Sequence, residues 1–269
     1  GDLRLQTNAF DGDRLASLPV EDLSVSELRA RAANEFYKVT IESWEEALAL
    51  IERAISLSPL DGMARCMRVE AQLMLYGARY ESMPDDIRKR CEGDLNTAVM
   101  QLPKSDYVIW ARANFRLAVQ DDAPGARADL KRGRQLNPAY LENHELEGQI
   151  MLRESDFVGA DAAFSRLVER GEQDPLQPYR LFMRGVARYC NGNFEGAAED
   201  ASAAHDMRPN EAGHLKLRAM ALTKMQLHEQ AEACLYAALN LSQAPMMTTK
   251  PPVLPPDCRW VLDRLKPIL

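Results

Sequence analysis

The chain has 269 residues, 46% hydrophobic and 27% charged, which is the balance of a folded protein and not of a disordered tail. With 33 Lys and Arg against 40 Asp and Glu, the net charge of -7 speaks against a broad nucleic-acid footprint. No apolar run approaches the roughly 18 residues that span a bilayer, and the five cysteines, odd in number and without a C-x-x-C, read as reduced core thiols of a cytoplasmic protein.

In chain order, residues 1–24 are expected to be a linker or the tail of a preceding domain, and the opening on Gly1 instead of methionine fits a processed or excised piece. Ser24 with Glu27 and Ser43 with Glu46 read as capping boxes that open two helices, and Pro59 follows the second. A second pair begins near Gly62. It is stretched by about ten residues around YGARYESMPDD, because Ala47 to its counterpart Cys91 is 44, so a longer first helix or a protruding loop is expected there, with Pro84 in a first helical turn.

Further pairs begin near Tyr107, Leu141, Pro178 and Ala212, with Pro124 in another first turn. Pro103, Pro138 and Pro209 close their units, since proline lacks the amide a helix needs and constrains the residue before it. The sixth pair has no proline in register and runs into SQAPMMTTK. After an extended linker from residue 246, Trp260, Val261 and Leu265 fall at helical spacing, and 256–269 is expected to be a terminal capping helix.

Small residues recur at a fixed interval. Ala197 to Ala231, Ala204 to Ala238 and Gly185 to Ala219 are each 34 apart, as are Asn114 to Gly148, Ala126 to Ala160 and Leu130 to Phe164. Between the two blocks, Ala160 to Ala197 is 37, which places three extra residues near EQDPLQP. Positions seven apart share a helix face, so Ala197 and Ala204 predict a smooth stripe on which a neighbouring helix rests closely, with Leu181, Phe182, Phe194 and Met207 supplying bulk around it.

Together these residues resemble the tetratricopeptide repeat, W-x2-L-G-x2-Y followed by A-x3-F and P over 34 residues. Trp110 stands at its Trp position, Gly148 and Gly185 at its Gly, and Ala47, Ala126, Ala160, Ala197 and Ala231 at its first Ala. The Phe position holds Phe164 and elsewhere Ile51, Leu95, Leu130, Ala201 and Leu235. The resemblance implies an all-α fold: an α-solenoid, a right-handed superhelix of about six helix pairs over residues 25–245, ended by the capping helix.

Chemistry-bearing motifs are lacking. His144, His205, His214 and His228 form no H-x-x-x-H or Cys/His pairing and read as surface or half-buried helix residues. The sequence has neither a glycine-rich phosphate loop nor a G-x-S-x-G, and the basic stretch GARADLKRGR reads as a solvated helix face. Asp85-Asp86 and Asp121-Asp122 precede helices, where they oppose the dipole. No catalytic residue, cofactor or metal is expected, and the chain is not expected to be an enzyme.

The resemblance instead implies a concave groove, lined by first helices, that takes a protein or peptide segment. Carried over position by position, its lining is Ala111 and Phe115, Glu145 and Gln149, Tyr179, Phe182, Val186 and Tyr189, then Lys216 and Met220. The Lys, Asn and Arg set with which some members grip a terminal carboxylate is not present. The stretch 21–65 also resembles, more weakly, the repeat regions that follow effector domains in bacterial nucleotide-cyclase-type proteins and winged-helix transcription activators. That implies a regulatory or docking role toward an upstream domain of its own. A structural oligomerisation element is the remaining alternative; no nucleic-acid or membrane partner is expected.

Overall fold

The structure is a computed structural model in which residues 15–36, 38, 40–78, 82–169 and 174–241 are described. The described residues contain no strand and, beyond short helical stretches at 15–17 and Val20–Asp22, twelve α-helices of a dozen residues or more. They divide into two compact units on either side of Pro138 and Ala139. The capping helix expected at 256–269 lies outside the described residues.

The first unit holds three antiparallel hairpins: α1 (Val25–Phe36) with α2 (Ile41–Leu57), α3 (Gly62–Ala78) with α4 (Asp85–Gln101), and α5 (Asp106–Ala118) with α6 (Ala123–Leu136). Their apolar stripes merge into one core containing Leu28, Trp44, Ile51, Val69, Leu95 and Phe115. Leu15 and Leu23, ahead of α1, are buried in the same core, and Arg31 Nη1 donates to the carbonyls of Leu15 and Leu18 at 3.4 and 3.2 Å. Of the two expected features of the stretched pair, the longer first helix is present: it has 17 residues where α5 has 13.

The second unit repeats the plan with α7 (Leu141–Arg153) and α8 (Phe157–Val168), α9 (Gln177–Cys190) and α10 (Phe194–Met207), and α11 (Ala212–Lys224) and α12 (His228–Asn240). Here the small positions act as expected. Ala160, Ala197 and Ala204 are fully buried. A Cβ on Gly148 would come within 2.7 Å of the Phe164 ring, and one on Gly185 within 3.0 Å of Leu217 and 3.2 Å of Asp200 Cβ. At Gly148 an alanine would collide with the ring, and at Gly185 it would press its neighbours back by a few tenths of an ångström. Met207, assigned to the bulk around this contact, is instead about half exposed at the end of α10.

Four hairpins turn in the same way. One residue in the left-handed region, Asp121 (φ 56°), Ser155 (φ 63°), Gly192 (φ 83°) or Gln226 (φ 61°), ends the first helix, and the second starts two residues later. In three of them the next amide reaches back five residues to a helix carbonyl: Asp156 to Met151, Asn193 to Arg188 and Leu227 to Leu222, each at 2.9 Å. This is the Schellman closure that satisfies orphan carbonyls. Asp122, Asp156 and Asn193 then cap α6, α8 and α10 by accepting from the amides of Gly125, Gly159 and Gly196. The spacing D/N-x-x-G at these three heads is a helix-start signal that the 34-residue comparison alone passes over.

Two helix starts differ from expectation. Ser24 and Glu27 do exchange hydrogen bonds. For α2, however, the capping box is Thr40 with Ser43: the helix begins three residues earlier, because Ser43 serves better by returning its hydroxyl to Thr40 than by capping. Pro84 is the N-cap of α4 and lies just outside its first turn.

Gly148→Ala is expected to displace the Phe164 ring and to lower stability by roughly 1 to 3 kcal/mol, with part of the loss recovered when Phe164→Leu is added. Urea unfolding midpoints of the single and double variants test this, and an unchanged midpoint for Gly148→Ala would show that α7 and α8 separate freely.

Candidate protein-interaction face

Three of the hairpins are locked by charge as well as by apolar packing. In the first unit, Arg65 and Arg68 of α3 both donate to Asp94 of α4, and Arg112 and Arg116 of α5 both donate to Asp129 of α6. In the second unit, Arg184 and Arg188 of α9 close on Asp200 of α10 at 2.6 to 3.0 Å. All three aspartates are buried. Two guanidinium groups one turn apart on a first helix thus share one carboxylate on the second, and the two-pronged arginine geometry sets the rotation of one helix against the other. The recurrence R-x-x-x-R, followed 12 or 13 residues later by Asp, was legible at 112–129 and 184–200. Asp129 lies in the stretch GARADLKRGR, whose basic residues were expected to form a solvated helix face, yet it is itself buried.

A second kind of bridge joins successive hairpins of the second unit. Arg180 of α9, almost fully buried, donates to Glu145 of α7 at 3.0 Å and to Asp174 at 2.7 Å. Burial alone would weaken its charge, but Glu145 and Asp174 outweigh that and hold its pKa above the usual value. Gln149, one turn along α7 from Glu145, donates to Tyr179 Oη at 2.7 Å.

The predicted lining residues separate into two groups. Ala111 and Phe115 present no surface: with Tyr107 they form an i, i+4, i+8 stripe turned into the core of the first unit, and Tyr107 Oη is anchored on Glu70 of α3. In the second unit Glu145 is buried and engaged by Arg180, Tyr179 and Val186 are buried, and Tyr189 is buried with its ring edge-on to Phe194 at 5.4 Å. What remains half-exposed on the first helices is Gln149 on α7, Phe182 on α9, and Lys216 and Met220 on α11.

Lys216 is the polar member of that set. Burial lowers its pKa, and no carboxylate among the described residues pairs with it. The Phe182 ring leans toward the next hairpin, its centroid 5.6 Å from the His214 imidazole. His214 departs from the surface role expected for it, being only 2% exposed. Glu211 Oε2 stands 3.3 Å from its Nε2, and Nδ1 has no hydrogen-bond partner among the described residues. Burial, with help from His205 and Arg208, pushes its pKa down to about 4. Among the described residues no group of three or more His, Cys, Asp or Glu is placed to hold a metal ion, and no helix is long and apolar enough to cross a membrane.

No protein-family model matches the chain, and no curated protein matches it. Solved structures do. A tetratricopeptide repeat protein from Parabacteroides merdae is similar over 96% of this chain and 89% of its own, with a TM-score of 0.59 and 14% identity. A thermophilic TPR protein of Thermus thermophilus is similar over 76% and 100%, with a TM-score of 0.56 and 16% identity. The APC/C hetero-tetramer Cut9-Hcn1 is similar over 96% of this chain and 45% of that one, with a TM-score of 0.67 and 14% identity. Likeness at such identity is likeness of fold: the chain has the tetratricopeptide-repeat fold, an α-solenoid built of helical hairpins.

Two outcomes follow from the buried charges. Asp200→Asn, which leaves Arg184 and Arg188 facing a neutral amide, is expected to cost roughly 2 to 3 kcal/mol, whereas Asp85→Asn on the exposed start of α4 should leave the denaturation midpoint where it was. His214 makes stability depend on pH. Its folded pKa lies below the unfolded value, so from about pH 6.5 down to about 4 the unfolded chain binds a proton that the folded chain refuses, and stability falls as pH falls. His214→Phe should flatten that slope relative to the parent; identical slopes in paired urea titrations would contradict the assignment.

Proposed function

We propose that this chain is a non-enzymatic interaction module that holds a protein or peptide segment against the first helices of its second unit. The observation carrying this reading is the pairing of half-exposed Phe182 and Met220 with a half-buried Lys216 that no carboxylate among the described residues meets, while Arg180, Arg184 and Arg188 of α9 are tied up in bridges to carboxylates. An aromatic anchor that is partly desolvated before binding loses little further freedom on contact, and a cation without an internal partner gains one from the ligand. The ligand this surface suits is therefore a segment with an apolar side chain beside a carboxylate.

The fold supports the same reading, since hairpin arrays offer extended surfaces in preference to closed cavities. The APC/C hetero-tetramer Cut9-Hcn1 illustrates a similar fold within an assembly of several chains. Arg180, Glu145 and the Gln149–Tyr179 bond act as positioning residues in this scheme. They fix α7 against α9, so that Gln149 and Phe182 keep their spacing.

A peptide-display selection on the full chain tests the proposal. Selected peptides are expected to bind Phe182→Glu at least about tenfold more weakly, and to lose a smaller factor on Lys216→Gln, with both variants melting within a few degrees of the parent. Peptides that bind parent and Phe182→Glu alike would place the interaction elsewhere. Loss of the melting transition in Phe182→Glu, with retained binding in the milder Phe182→Ser, would return the residue to the core.

A further inference from the structure

The outer face of α12 differs from that of every other second helix in its unit. One position after the repeat position held by buried Phe164 and Ala201 and by half-buried Leu235, α8 and α10 carry Ser165 and Ser202, both half-buried, whereas α12 carries Tyr236, 69% exposed. Four positions after it stand Val168 and His205, both half-buried, and then Leu239, 54% exposed. With Leu235 these residues form an i, i+1, i+4 apolar stripe at the end of the unit, the surface a seventh hairpin would occupy. A terminal helix left in water would favour polar residues at these positions.

We infer that this stripe is the docking site of the chain's own C-terminal segment, residues 256–269. Its length and composition suit the place. Twenty-eight residues follow Leu241, and the first 14 of them, 242–255, include four prolines. At about 3.1 Å per residue an extended proline-rich stretch of that length reaches roughly 43 Å. The 13 residues of α12 span only about 20 Å. The chain therefore has room to double back and lay Trp260, Val261 and Leu265 along Leu235, Tyr236 and Leu239.

Charge fits too. The 13 residues of α12 include Glu229 and Glu232 and no lysine or arginine, while 256–269 carries Arg259, Arg264 and Lys266 against Asp257 and Asp263. The tether makes this segment the occupant at highest local concentration, about millimolar for a short flexible link. A second copy of the chain must compete with it from bulk solution. The docked segment covers the end of the unit and lies apart from Phe182 and Lys216, so the inference stands independently of the proposed ligand face.

Limited trypsin digestion of the full chain tests it. Cleavage at Arg259 and Arg264 is expected to be slow in the parent and faster by on the order of tenfold in Leu239→Glu, with light scattering showing a monomer in both. Tyr236→Ser, which installs the residue found in α8 and α10, should show intermediate cleavage without loss of fold. Equal cleavage rates in the parent and Leu239→Glu would overturn the inference. So would a parent dimer that dissociates on Leu239→Glu, which would assign the stripe to a second copy.

Discussion

The structure depends on close approach between helices at positions too small to hold them apart. At Gly148 the Phe164 ring fills the place a side chain would take, and at Gly185 the neighbours are Leu217 and the Cβ of Asp200. At Gly185 the close contact lies beside the charged clasp, in which Asp200 accepts from Arg184 and Arg188. No hairpin covers its own apolar face, so each depends on a neighbour for burial.

The buried bridges define the candidate surface by subtraction. Second-unit arginines such as Arg180, Arg184 and Arg188 are committed to carboxylates within the fold, which removes them from any dialogue with a ligand. Such pairs contribute modestly to net stability because desolvation opposes their attraction, but a mispaired arrangement is costly, so they favour a single register of helix against helix. Lys216 stands outside this network, and the surface reading rests on that contrast.

Much of the fold was legible in the sequence because its determinants are local and periodic. The 34-residue spacing of alanines and glycines, together with Pro59, Pro103, Pro138 and Pro209, located the helix starts at Gly62, Leu141 and Ala212 directly. Rotation about a helix axis was less legible. Ala111 and Phe115 hold the right repeat positions, yet α5 turns them into the core, and no spacing rule reports that angle. His214 was misplaced for a related reason: an imidazole is polar by composition, and only the packing of Phe182 above it and the connection through Glu211 below show that it is enclosed. The charged clasps pair residues 12 to 29 apart across a hairpin, and they become readable only once the turn between their helices is known.

The turns themselves hold a latent reserve. Gly192 adopts the left-handed conformation at no steric expense, while Asp121, Ser155 and Gln226 occupy the same region with side chains that resist it by about 1 kcal/mol each. These residues lie at the corners of their hairpins, outside the helices that carry Phe182 and Lys216. Heat tolerance in this scaffold can therefore drift upward or downward through corner residues alone, with no change to the side chains that the first helices carry.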